Sequence, residues 1–339
     1  MKKILFAALA VFALASCAKD VATDVQEYAI DFSSSAKGAV RSTVVNNTNF
    51  MSFEVWAYNG GTTIMDEITV SRENVSSDWT YSPKKYWPTE GTVDFYGFYI
   101  ANAQVVGGDP VYQHQYAASS NGGLTFDVNV GAPDGVVRTS NIPDAMYAVA
   151  LDKSKTSGLT DNKVEMNFRH AMAQVDFQIK NATTSSLGIK IHTSHVYIDG
   201  LYSDGSYTTS TTASTTASTG AGSWDFSNFT AVKYWFHGDG HNVSASNSVY
   251  GSILSSTCLV FPQTKSGATV EVPCKISQNG VIIFDGVKTA TLNIDWKEGK
   301  KYIYTLLFDD KSIDNLSNTI EFTTNVVTIT TEGADVRPN

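Results

Sequence analysis

Val164-Glu-Met-Asn-Phe168 and, a few residues on, Gln174-Val-Asp-Phe-Gln-Ile179 alternate apolar and polar side chains without a break. Successive side chains of a strand point to opposite faces, so a period of two describes strands with one face in a core. The same reading extends outward to Phe53-Glu-Val-Trp-Ala-Tyr58, Val93-Asp-Phe-Tyr-Gly-Phe-Tyr-Ile100 and Tyr302-Ile-Tyr-Thr-Leu-Leu-Phe308. β-Branched and aromatic residues fill these runs, and Gly, Asn, Asp and Ser punctuate them. No segment carries a long amphipathic helical period with caps. Aromatics reach 12% while charged residues stop at 17%, a balance suited to half-buried pleated surfaces. The expected class is therefore all-β, most simply two β-sandwiches in tandem.

The amino terminus is of another kind. Lys2 and Lys3 precede an apolar run over residues 4–15, which ends in Leu14-Ala15-Ser16-Cys17. Charge, apolar core and small residues in that order describe a secretory signal over residues 1–16. The run is shorter than the roughly 20 residues of a spanning helix. A cysteine at the cut can accept lipid, so Cys17 is the expected acylation site and the acyl chains the only anchor. The net charge of −9 becomes two units more negative once Lys2 and Lys3 are removed. Such a surface argues against nucleic acid and against direct binding to anionic headgroups.

Residues beyond the signal exceed what one hydrophobic core usually organises, which points to two domains. The polar stretch Asp152-Lys-Ser-Lys-Thr-Ser-Gly-Leu-Thr-Asp161 is the expected boundary, giving domains over 42–160 and 161–339. Residues 206–223, almost entirely Thr, Ser, Ala and Gly, read as a mobile surface loop within the second domain. Cys258 and Cys274 are equidistant from Ser266, so a hairpin turning there would set them opposite one another. A disulfide and a pair of buried thiols both remain open on this evidence.

Catalytic patterns are sparse. There is no G-x-S-x-G elbow, H-E-x-x-H, Walker loop or EF-hand loop. His192-Thr-Ser-His195 and His237-Gly-Asp-Gly-His241 lack a third convergent ligand, and His170 reads as a packed, hydrogen-bonded residue. Trp56, Trp79, Trp87 and Trp235 could stack on sugars, but core packing is the stronger expectation for each. No enzymatic activity, metal or cofactor is expected.

Assembly is better supplied. Ala29-Ile-Asp-Phe-Ser-Ser34 and Thr319-Ile-Glu-Phe-Thr-Thr324 share one pattern, with Ile and Phe on one face and an acid between them on the other. Two peptides so spaced can fill the same pockets along a sheet edge. Tyr28, Ile30 and Phe32 mark the amino-terminal strand. Ile320 and Phe322 mark a candidate donor strand near residues 313–330. Ser33-Ser-Ser-Ala-Lys-Gly-Ala-Val-Arg41 links the first strand to the body, and Arg41 is the first arginine in the chain. Cleavage between Arg41 and Ser42 would release a lipidated propeptide, residues 17–41. It would leave a groove for a neighbour's strand, and a precursor should keep such an edge covered.

Several motifs together resemble the fimbrillin family of type V pili, including the fimbrillin-like surface lipoproteins. They are Phe50-Met-Ser-Phe-Glu-Val-Trp-Ala-Tyr58, Tyr86-Trp-Pro88, Val93-Asp-Phe-Tyr-Gly-Phe-Tyr99 and Pro143-Asp-Ala-Met-Tyr-Ala148. Val164-Glu-Met-Asn-Phe-Arg-His-Ala-Met-Ala-Gln-Val-Asp-Phe177, Leu259-Val-Phe-Pro-Gln263 and Trp296-Lys-Glu-Gly-Lys-Lys-Tyr-Ile-Tyr304 complete the set. The resemblance implies two transthyretin-like β-sandwich domains, a lipidated propeptide, cleavage at Arg41 and polymerisation by donor strand with self or related subunits. It also implies that Ala18-Lys19-Asp20 directs the lipoprotein to the outer face of the outer membrane, and that the shed chain becomes part of a fimbrium. The competing expectation is a monomeric, anchored lipoprotein that binds a surface glycan or protein ligand and never polymerises. It would need exposed aromatics gathered on one face.

Overall fold

The computed structural model describes residues 29–37, 49–101, 112–132, 134–209, 222–246, 248–255, 258–313 and 320–328. The strands are β1 (Phe32–Lys37), β2 (Ser52–Asn59), β3 (Thr62–Ser71), β4 (Val93–Ile100), β5 (Tyr112–Ser119), β6 (Gly123–Val130) and β7 (Val136–Arg138). Then come β8 (Ala145–Lys153), β9 (Val164–His170), β10 (Ala173–Asn181), β11 (Ile189–Tyr202), β12 (Asp204–Thr209), β13 (Gly222–Asp225) and β14 (Ala231–Ser244). The last six are β15 (Tyr250–Ser252), β16 (Cys258–Val260), β17 (Thr264–Gln278), β18 (Val281–Asp295), β19 (Lys300–Phe308) and β20 (Glu321–Thr328). The chain is all-β, as its alternation predicts.

These strands form four sheets. The first runs β1-β9-β8-β4-β2-β3 and the second β13-β12-β6-β5. The third runs β15-β10-β19-β20, with β16 also on β10, and the fourth β18-β17-β11-β14-β7. The first sheet is buried on both faces. Phe53, Val55, Phe95 and Phe168 pack with Phe50, Trp79 and Tyr81 on one side. On the other, Trp56, Tyr96, Phe98 and Tyr147 meet Phe126 and Tyr207 of the second sheet. Burial on both faces explains why β2 and β4 read as nearly continuous apolar runs. Gly97 sits where a Cβ would come within 2.8 Å of the Phe168 ring, so only glycine lets β4 approach so closely. The third and fourth sheets form a sandwich in which Phe177 meets Phe236 edge-on at 5.1 Å.

Two organisational expectations need correction. Residues 152–161 are not an interdomain linker: Asp152 and Lys153 end β8, and the rest belong to its connection to β9, its antiparallel neighbour in one sheet. Gly158, Asp152, Asp161 and Asn162 take left-handed backbone there, and bridges Ser154↔Ser157 and Thr160↔Lys163 tighten it. Exposed hairpin ends and linkers use the same turn residues, which is why composition could not separate them. Pairing also crosses residue 160 through β6 with β12 and β7 with β14, so the sheets do not divide there. The expected loop over 206–223 is shorter as well. Ser206 to Thr209 and Gly222 to Ser223 are strand, paired in register Ser206↔Asp225 to Thr209↔Gly222. Residues 210–221 lie outside the described residues.

A carboxylate ties three sheets together. Glu298, just before β19, accepts from Tyr147 Oη at 2.9 Å and from Tyr207 Oη at 2.6 Å. Burial raises its pKa above the usual carboxylate range, with the two hydroxyls acting against that.

Candidate functional site

The amino-terminal strand is built into the first sheet. β1 lies parallel to β9 at the sheet edge, in register Phe32↔Val164 to Lys37↔Arg169. Val164 N–H donates to Asp31 O at 2.8 Å, and Ser34 Oγ to Met166 O at 2.9 Å. On its other side the segment meets residues 81–86. Ile30 N–H donates to Lys85 O at 2.9 Å, Tyr81 Oη donates to Ile30 O at 2.6 Å, and Ala29 bridges Tyr86. Burial pushes the Tyr81 phenol up to about 12, so it stays a donor. Ile30 and Phe32 are 0% and 1% exposed. Phe32 packs edge-on against Phe53, Tyr81 and Phe95 at 5.6–6.1 Å. Asp31 points away and meets Lys84 at 2.8 Å on the surface, an ion pair worth little by itself. Tyr28, Arg41, Ser42 and Cys17 lie outside the described residues.

The carboxy-terminal strand is paired within its own chain. β20 runs antiparallel to β19 from Leu307↔Glu321 to Lys300↔Thr328, at the edge of the third sheet, with Phe322 opposite Leu306. Ile320 is buried, and its N–H donates to Thr289 O at 3.0 Å.

The two cysteines are buried thiols on different sheets, and the hairpin pictured around Ser266 does not exist. Cys258 pairs with Val175 in the third sheet, Cys274 with Thr193 and Gly286 in the fourth. β17 runs through Ser266 with only a register shift between Lys265 and Ala268. It reverses at Asn279-Gly280, both with positive φ, the dipeptide that signals a tight hairpin. Burial pushes Cys258 up to about 12 and Cys274 up to about 11, so both remain protonated and unreactive while folded. Without reductant, both should alkylate on denaturation and neither in the native state. Mass spectrometry of the iodoacetamide-treated protein checks this.

His170 and three of the tryptophans are structural. His170 Nδ1 lies 2.8 Å from Asp144 Oδ1, with both side chains buried. Trp56, Trp79 and Trp87 belong to the cores. Among the described residues, no group of three His, Cys, Asp or Glu could hold a metal ion.

Trp235 departs from the expectation of core packing. It is half-buried on the outer face of the fourth sheet, while its neighbours Tyr234 and Phe236 point inward. Strand register sets one row across four strands: Glu271 on β17, Tyr197 on β11, Trp235 on β14 and Arg138 on β7. Tyr197 and Trp235 are near-parallel at 6.3 Å, and the Arg138 guanidinium lies 5.1 Å from the Trp235 ring centre. Lys233 pairs with Glu271 at 3.0 Å. The adjacent row pairs His195 with His237, both edge-on to Trp235. Burial, and then the neighbouring His237, lower the pKa of His195. Beside this row opens a cleft of about 260 Å³ lined by Arg138, Thr139, Ser140, Trp235, His237, Ser255 and Cys258. Residues so far apart in sequence meet only through register, which alternation within single strands cannot report.

Known proteins agree with this architecture. Residues 1–18 match the prokaryotic membrane lipoprotein lipid attachment site, and residues 40–324 match the fimbrillin-like family. A fimbrial protein from Bacteroides vulgatus is similar in structure, with a TM-score of 0.58, 16% identity, and coverage of 89% of this chain and 100% of that one. A candidate cell adhesion protein from Bacteroides uniformis gives 0.48 at 16% identity, over 89% and 99% of the two chains. The fimbrial anchor protein Mfa2 from Porphyromonas gingivalis gives 0.37 at 9% identity, over 89% and 99%. Of these three, only the first exceeds 0.5, and at such identity it speaks for the fold alone. No curated protein matches the sequence. The family match spans most of the chain, from just after β1 into β20: this chain belongs to the fimbrillin-like family.

Proposed function

We propose that this protein is a non-enzymatic structural subunit or adhesin of type V-like fimbriae, delivered to the outer membrane as a lipoprotein acylated at Cys17. β1 serves as a removable strand: cleavage after Arg41 frees it with the anchor, and a strand from a neighbouring subunit takes its place. The observation that carries the reading is the burial of Ile30 and Phe32 in a core by a segment at the sheet edge, on the anchored side of Arg41. Removing β1 would expose the edge of β9 and the apolar pockets of both side chains, the arrangement that strand addition exploits. In the uncleaved chain β20 is held by β19, so donation from that end would require it to leave its own sheet first.

Arg41→Ala in the native host tests the reading. Wild-type protein shed from cells should begin at Ser42 and run as a ladder of oligomers. The variant should stay acylated and monomeric, by mass spectrometry and unheated gel electrophoresis. A wild-type chain that retains Cys17 and runs only as a monomer would favour the second reading, an anchored adhesion lipoprotein. Two observations support that second reading: β20 pairs within its own chain, and an aromatic row lies on the outer face of the fourth sheet.

A further inference from the structure

We propose that residues 81–86 form the second wall of the slot that β1 occupies, and that Tyr81 and Lys84 select the strand that replaces it. The selected strand is residues 320–324 of a second copy of this chain, running parallel to β9 in the register of residues 30–34. This selection rests on the removable-strand reading, since the slot opens only when β1 leaves.

The amino-terminal segment is held from both sides, not along one open edge. Toward β9, Asp31 O accepts from Val164 N–H at 2.8 Å. Toward the other wall, Ile30 donates its N–H to Lys85 O at 2.9 Å, and its carbonyl accepts from Tyr81 Oη at 2.6 Å. The Tyr81 hydroxyl itself accepts from Lys85 N–H at 3.2 Å, which turns its proton toward the slot. Lys85 O, 3.3 Å from the same hydroxyl, offers it an acceptor when the slot is empty. A reversed strand would bring a carbonyl against Lys85 O, where neither group can donate, and would offer Tyr81 an N–H in place of a carbonyl. Buried polar groups left without partners are costly, so this wall reads direction as well as shape. Proline at the Ile30 position is excluded too, because it has no N–H.

Side chains narrow the choice further. Ile30 and Phe32 are buried in the core, and between them Asp31 meets Lys84 at 2.8 Å. The Lys84 ammonium also lies 4.7 Å from the centre of the Tyr81 ring. An exposed ion pair adds little affinity, but a cation in place of Asp31 would be repelled, so the pair serves discrimination. Ser34 Oγ adds a bond to Met166 O at 2.9 Å. Ile320-Glu-Phe-Thr-Thr324 meets these demands in order: Ile at position 30, an acid at 31, Phe at 32 and a hydroxyl at 34. Val93-Asp-Phe95 and Val175-Asp-Phe177 share the first three positions only in kind, and both lie on strands paired on two sides. β20 lies at a sheet edge, where a strand can leave by breaking one ladder.

A peptide of residues 318–327, added to the intact Phe32→Ala lipoprotein in detergent micelles, tests the selection, with hydrogen exchange of β9 reading its entry. The peptide should slow exchange in β9, while its reversed sequence and a form N-methylated at Ile320 should bind about tenfold more weakly or less. Tyr81→Phe should weaken the parent peptide about tenfold. It should leave unchanged a peptide whose Ile320–Glu321 amide is replaced by an alkene, because the carbonyl that Tyr81 reads is then already gone. Lys84→Glu should reverse the preference for the parent over its Glu321→Lys form. In the otherwise wild-type chain, Tyr81→Phe should speed exchange of residues 29–34 about tenfold with an unchanged melting curve. No protection of β9, equal binding of the reversed or N-methylated peptide, a Tyr81→Phe effect that persists with the alkene peptide, or an unaltered charge preference in Lys84→Glu would each overturn the selection. If the peptide fails while wild-type protein is still shed as a ladder beginning at Ser42, this inference falls and the removable-strand reading stands, with a related subunit supplying the strand.

Discussion

Phe32→Ala should undock β1: the backbone amides of residues 30–37 should exchange about a hundredfold faster or more, while the body of the protein melts nearly as before. Phe32 is 1% exposed and sits among Phe53, Tyr81 and Phe95. Truncating a buried Phe to Ala typically costs about 3–5 kcal/mol, through lost transfer energy and the cavity left behind. An edge strand can spend that loss by opening locally, so the effect should concentrate in β1. Ser33→Ala on the same strand removes only a half-buried hydroxyl and should stay close to wild type. Hydrogen exchange read by mass spectrometry separates the outcomes. If β1 remains as protected in Phe32→Ala as in wild type, the pocket does not hold the strand and the removable-strand proposal loses its physical basis. If Arg41 is the cleavage site proposed above, the same variant should be cut there faster than wild type.

Asp144→Ala should lower global stability by about 3–5 kcal/mol, the usual consequence of leaving one member of a buried ionisable pair without the other. Asp144 and His170 are 1% and 3% exposed, and their side chains meet at 2.8 Å. The pair stands where the chain passes from β9 in the first sheet to β10 in the third. Ala171 N–H donates to Ala145 O there, and the Trp224 indole N–H donates to Ala171 O at 2.8 Å. Loosening this corner should therefore disturb both sandwiches at once. Asp144→Asn keeps an acceptor for the imidazole and should cost clearly less, about 1–2 kcal/mol. Denaturant titration measures both variants. Equal, small losses in the two would show that the pair fills space and no more.

Much of the architecture was legible because it depends on local chemistry. The alternation in Val164-Glu-Met-Asn-Phe168 gives buried Val164, Met166 and Phe168 in β9, and Val175, Phe177 and Ile179 are likewise buried in β10. Each such strand carries its own period of two, so no distant partner is needed to read it. Asn279-Gly280 carries its own hairpin signal too, independent of the spacing of the two cysteines about Ser266. Residues 152–161 are the opposite case: their turn chemistry is real, but whether a turn joins neighbours in one sheet or separate domains depends on where the strands go afterwards.

The sequence by itself determined the β class, the signal and acylation pattern around Cys17, and the family. These follow from the order of side chains along single segments, where apolar period, charge and turn residues act at short range. Only the tertiary structure decided that β9 lies between β8 and β1 in the first sheet and that β20 pairs with β19 of its own chain. It alone decided that Cys258 and Cys274 belong to different sheets, and that Glu271, Tyr197, Trp235 and Arg138 form one row. Each of those is a matter of register between strands far apart in the chain. A shift of one residue would send Trp235 inward and Phe236 out. That choice is made by the whole core at once, through packing that no single segment contains.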